Sequence, residues 1–119
     1  VMNRDHLIAE AKKEVLHMLA TGWHPPAPEK IYAGGRDLLA ALRAGLNMFY
    51  QGGYITEYET VIGEQAVYVL AGGELSVPAW VDEQYILDLE RAAFMALCHE
   101  EKTQERMFAI LDTGKPLRN

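Results

Sequence analysis

Glycine divides this chain into short lengths, and no fold that needs a long uninterrupted element is open to it. Gly34-Gly35, Gly52-Gly53 and Gly72-Gly73, with single glycines at 22 and 114, stand between the apolar stretches. Glycine enters left-handed backbone without a Cβ penalty, which is what a turn or a helix end requires. Between these stops the apolar residues return every three or four positions, the period of a helix with one covered face. Leu7, Ile8, Ala11, Val15, Met18 and Leu19 mark the first helix, with Asn3 placed to cap it and Gly22 to close it. Leu38, Leu39, Leu42, Leu46 and Phe49 mark the second, opened by Asp37. Thr56 and Glu59 form a capping box at the head of the third, which carries Val61, Ile62, Ala66, Val69 and Leu70.

Asp82 starts a fourth helix, and Met107, Ile110 and Leu111 mark a short fifth before Gly114 and Pro116. The expected helices cover about 4–21, 37–51, 56–71, 82–98 and 103–113. Pro25, Pro26 and Pro28 make the connector 22–36 irregular. Gly45 and Gly63 lie inside helices at a cost of ~1 kcal/mol each relative to alanine, which implies a neighbouring helix close by. No segment alternates as a strand should. The expected fold class is all-α, with about five helices in a single domain over 1–119.

Composition narrows the functions open to such a domain. With 119 residues, 50% hydrophobic and 24% charged, the chain reads as one soluble globular unit. It has no apolar run of the ~20 residues a membrane span needs, and no signal-peptide pattern. The single cysteine, Cys98, fits a reducing compartment and predicts a cytoplasmic location. A net charge of −6 argues against nucleic acid. The length is too small for a dinucleotide-binding enzyme with its own substrate domain. Val1 stands where an initiator Met would be, and is expected to mark a cut from a longer protein whose natural C-terminus is Asn119.

The candidate chemistry is thin. The glycine pairs do not form G-x-G-x-x-G, and Gly114-Lys115 is no P-loop. His6 with Glu10, and Glu14 with His17, could each offer two metal ligands, but nothing supplies a third and fourth. His24 beside Trp23 reads as loop packing. Cys98 and His99 are sequence neighbours whose side chains point about 100° apart on a helix, so they make no nucleophile and base. Glu57 and Glu59 belong to a cap, and Glu100 and Glu101 to a helix start where the dipole favours anions. Phe49, Tyr50, Tyr54, Tyr58, Tyr68, Trp80, Tyr85 and Phe94 are expected in the core. No catalytic residue and no metal site is expected in this chain.

The stretch from Leu89 says more. Leu89-Glu90-Arg91-Ala92-Ala93-Phe94, then Glu105-Arg106-Met107-Phe108-Ala109-Ile110-Leu111, then Lys115-Pro116 resembles the C-terminal tail of the enoyl-CoA hydratase/isomerase (crotonase) superfamily. The prolines at 25–28, Gly53 to Tyr58, Val61-Ile62-Gly63, Glu83-Gln84-Tyr85 and Gly114 to Asn119 are similar to one branch of it. That branch fuses a 3-hydroxyacyl-CoA dehydrogenase to an enoyl-CoA hydratase/isomerase. The resemblance implies the C-terminal helical region of a fatty-acid β-oxidation enzyme whose catalytic groups lie upstream. It implies packing on the upstream domains, contacts between copies in a homo-oligomer, and part of an acyl-CoA site. By position Phe94 matches an acyl-pocket aromatic, and Lys115 a lysine near the CoA phosphates. NAD and a CoA thioester are implied for the parent, and no cofactor for this segment, which is expected to be inactive alone. Two alternatives stand beside this reading. One is the helical dimerisation domain of a 3-hydroxyacyl-CoA dehydrogenase, whose start Val1-Met2-Asn3-Arg4 resembles; the other is a non-enzymatic helical interaction module.

Overall fold

The computed structural model describes residues 3–119, so Val1 and the cut it is expected to mark lie outside the described residues. Five helices carry the fold, as the apolar periodicity predicts. A 3-10 turn at Arg4–His6 leads into α1 (Leu7–Ala20), and α2 (Gly35–Gln51) and α3 (Glu57–Ala71) follow the connector. After them come α4 (Glu83–Cys98) and α5 (Glu101–Thr113). The side chain of Asn3 caps the 3-10 turn, not α1 itself, by accepting from the Asp5 N–H at 3.0 Å.

The glycines end helices by one repeated device. After α3 the Gly73 N–H donates to the Tyr68 carbonyl at 2.8 Å and the Gly72 N–H to Val69 at 2.9 Å, with Gly72 at φ +78°. This pair of bonds is a Schellman motif, which returns donors to the last free carbonyls. The same pattern closes α1 at Gly22 and α2 at Gly53. Behind α2 the motif's apolar contact is Phe49 against Tyr54, edge to face at 6.1 Å between centroids. The capping box at the other end of α3 is formed: Glu59 N–H donates to Thr56 Oγ1 at 3.2 Å, and Thr56 N–H to Glu59 Oε2 at 2.8 Å.

Two short strands correct the expectation of none. β1 (Lys30–Ala33) pairs antiparallel with β2 (Ala79–Asp82), in a register that sets Ile31 against Val81 and Tyr32 against Trp80. Four residues give too few alternations to be read, and the partners lie far apart in sequence. The inner face of this ribbon meets the core. Ala33, Leu39 at the head of α2, and Ala71 at the end of α3 are buried, as are Gly35, Gly72 and Gly73. The Arg36 N–H donates to the Leu75 carbonyl at 2.9 Å, and the Tyr85 hydroxyl to the Gly72 carbonyl at 3.0 Å. Gly63 approaches Leu46 of α2 so closely that a Cβ would lie 2.5 Å from its Cδ1, whereas Gly45 faces open space. Close approach therefore accounts for one of the two interior glycines.

The molecule is open and elongated. Its radius of gyration is 20.8 Å, against about 13.5 Å for a compact chain of this length. Of the eight aromatics expected in the core, Tyr58 alone is buried, with Tyr68 and Tyr85 half-buried. Phe49, Tyr50, Tyr54, Trp80 and Phe94 are exposed, a correction that follows from faces with nothing packed on them. No helix among the described residues is long and apolar enough to cross a membrane.

Candidate functional site

A recess lies between α3 and α4. It is an open groove of about 660 Å³, walled by Ile62, Ala66, Val69 and Leu70 from α3 and by Leu87, Ala93, Phe94 and Leu97 from α4. The helical period places these residues on facing stripes. Gln65, Glu90 and Arg91 supply its polar atoms, and Arg91 is turned to Asp88 at 3.0 Å. Phe94 stands in this groove with 55% of its surface exposed. The lining can take up apolar surface, worth about 25 cal/mol per Å² removed from water.

Lys115 is elsewhere. It is exposed in the tail after α5, and its backbone N–H donates to Thr113 Oγ1 at 3.2 Å. It does not line the groove, so the two residues singled out by resemblance belong to separate regions of this chain.

The most connected polar cluster carries no complete signal in the sequence. Arg118 donates to both carboxylate oxygens of Glu59, at 3.1 and 2.9 Å, and to the Tyr54 carbonyl at 3.3 Å. Arg106 of α5 comes within 3.8 Å of the same carboxylate, and its Nε donates to Asn119 Oδ1 at 2.7 Å. Asn119 Nδ2 in turn donates to the Lys102 carbonyl at 3.2 Å and to Glu105 Oε2 at 2.6 Å. Tyr58 is shared too: its hydroxyl lies 2.6 Å from Thr103 Oγ1, and the charges of Lys102 and Arg106 each stand 5.4 Å from its ring centre. The tail thus straps α5 to the head of α3. Only Thr56-Glu59 gave a signal in sequence; Arg118 arrives from 59 positions away.

The strap has a pH dependence of definite sign. The Arg118 hydrogen bonds, then the Thr56 N–H and the nearby positive charges, hold the Glu59 carboxyl at about 2, below its ordinary 4.5. A lowered acid stabilises the folded form when ionised. The contribution of Glu59 is therefore complete above pH 4.5 and drains away as the pH falls towards 2. Protection of the amides of Lys115, Leu117, Arg118 and Asn119, taken relative to the intrinsic exchange rate at each pH, should fall across that window, and Glu59→Gln should remove that pH dependence and lower protection above pH 4.5.

The remaining candidates stay apart. Among the described residues no three His, Cys, Asp or Glu side chains gather as a metal would require. His6, Glu10, Glu14 and His17 lie exposed on α1, where Glu10 sits 4.0 Å from Lys13. Cys98 is half-buried at the end of α4 and His99 exposed beyond it, with no hydrogen bond between them among the described residues. Glu100 and Glu101 begin α5, both exposed.

No protein-family model matches this chain, and no solved structure matches it. One curated relative does: over 118 residues the chain is 42% identical to a Bacillus subtilis (strain 168) protein named "Probable 3-hydroxyacyl-CoA dehydrogenase". The alignment takes in 99% of this chain but only 15% of that protein, so what is similar is a segment of a much longer polypeptide.

Proposed function

We propose that this chain is a segment of a 3-hydroxyacyl-CoA dehydrogenase, serving it as a helical packing and assembly element while the reacting groups lie elsewhere in the polypeptide. The observation that carries this reading is the 42% identity, which runs through 99% of the chain. The architecture supports it. A segment drawn from a larger enzyme is expected to show apolar faces that its own length cannot cover, and eight exposed aromatics among the described residues and an open groove are such faces. The parent oxidises a 3-hydroxyacyl-CoA, with NAD as hydride acceptor.

The finer assignment rests on the tail motifs. They favour a parent that also hydrates 2-enoyl-CoA, with the Phe94 groove forming a wall of the acyl site and Lys115 standing near the CoA phosphates. An aromatic on an acyl chain and an ammonium beside phosphate are both sound chemistry. In the full-length enzyme, Phe94→Ala is expected to raise KM for long-chain substrates about tenfold, from about 1.4 kcal/mol of lost contact. Lys115→Ala should raise KM for CoA thioesters but not for pantetheine thioesters, which lack the nucleotide phosphates. NAD reduction or enoyl-CoA hydration by residues 1–119 alone would overturn the division of labour.

A further inference from the structure

The segment after α5 is pinned at both ends, with one cation between the pins. At the near end Gly114 takes φ +66° and its N–H donates to the Ile110 carbonyl at 2.9 Å. Thr113 Oγ1 accepts from the Lys115 N–H at 3.2 Å and donates to the Ala109 carbonyl at 2.6 Å. At the far end Arg118 grips both oxygens of Glu59 and the Tyr54 carbonyl. The Asn119 side chain is tied back to Lys102, Glu105 and Arg106. Only Lys115, Pro116 and Leu117 lie between, and Pro116 favours extended backbone at Lys115. A chain advances at most about 3.5 Å per residue, so a segment this short has little room to wander once both ends are held.

The cations of α5 and its tail divide accordingly. Arg106 and Arg118 share Glu59, and the ammonium of Lys102 lies over the Tyr58 ring. Lys115 is exposed and, among the described residues, within salt-bridge distance of no carboxylate. An ammonium left unpaired on a held backbone suits a phosphate that arrives with a ligand. An isolated surface ion pair would be too weak to hold such a strap. This one is a two-pronged arginine–carboxylate pair, and the Thr56 N–H fixes the same carboxylate from the helix side.

We propose that Arg118 and Glu59 are positioning residues for Lys115: the closed strap sets where this ammonium meets the phosphates of a CoA thioester. This role rests on Lys115 standing near the CoA phosphates, as proposed above, and adds what places it there. With the strap open, the tail must be ordered each time a thioester binds, and that cost falls on the nucleotide end alone.

In the full-length enzyme, Arg118→Gln and Glu59→Gln are each expected to raise KM for CoA thioesters about tenfold, the factor for ordering one residue's backbone on binding. Gln serves a capping box as well as Glu, so Glu59→Gln keeps α3 capped. kcat, KM for pantetheine thioesters and KM for NAD should not move. Arg118→Lys, which keeps the charge, should recover part of the loss. Chymotryptic cleavage after Leu117 should quicken in both glutamine variants, reporting the opened strap. In a Lys115→Ala background Arg118→Gln should add nothing, because it acts through the lysine. An additive rise would make Arg118 itself a phosphate contact. A rise for pantetheine thioesters would mean general loosening, and a rise for NAD would put the lysine at the dinucleotide. Any of these, an unchanged KM for CoA thioesters, or a strap that stays shut without the pair overturns the proposal. The reading of Lys115 fails separately, if Lys115→Ala leaves KM for CoA thioesters unchanged, and it stands if only the strap variants do.

Discussion

Leu39→Ala is expected to remove about 3 kcal/mol of stability, the typical cost of emptying a fully packed leucine site. Leu39 is 1% exposed and is the largest side chain so completely enclosed. It sits in the second turn of α2, one turn after the buried Gly35. The other buried apolar residues are Ala33, Tyr58, Ala71 and Ala93, and three of these four have only a methyl group to contribute. A small domain has about 5–15 kcal/mol in all. The loss should appear in urea unfolding as a lower midpoint at unchanged slope. A shift worth less than about 1 kcal/mol would show that the site collapses around the gap or that the core lies elsewhere.

Gly72→Ala should cost as much or more, through two separable effects. Gly72 has φ +78°, where an L residue loses about 1–2 kcal/mol. Its missing Cβ also points at the Cβ of Ala33 in β1, too near for two methyl groups to coexist. Forcing an added methyl into a packed site costs a further 1–3 kcal/mol or so. Gly53 separates the two terms. It ends α2 in the same motif at φ +73°, but a Cβ there meets nothing within 4 Å. Gly53→Ala should therefore show the backbone cost alone, and the difference between the variants the clash. Equal losses at both positions would refute the close approach of α3 to β1.

The difference between these glycines also shows what could be read in advance. Helix ends were legible because their causes are local: a left-handed residue after an apolar stretch, or Thr56 three positions before Glu59. The helical faces were legible for the same reason. What covers a face is a long-range matter, and there the reading failed. Phe49, Tyr50, Tyr54, Trp80 and Phe94 have core-like spacing yet stay exposed, Phe49 meeting Tyr54 and Trp80 meeting Tyr32 at the surface. The ribbon was hidden because four-residue strands carry no pattern and Lys30 finds its mate at Asp82. Arg118 and Asn119 looked like a solvated tail, since nothing beside them announces Glu59, Arg106 or Glu105. Phe94 and Lys115 were singled out by likeness to other proteins, a signal that says where a residue aligns and not what it touches here.

The β1–β2 ribbon divides the chain kinetically. It closes the backbone into a loop from Lys30 to Asp82 that contains α2 and α3 and leaves α1 outside on one side, α4 and α5 on the other. Contacts of α2 with α3, and of α3 with α4, join sequence neighbours and form early, whereas the ribbon must first meet the entropy of joining distant segments. Once shut, it works as a clasp: a chain cut between α2 and α3 should stay together through it, and one that loses the ribbon should fray first at Gly35 and Gly72.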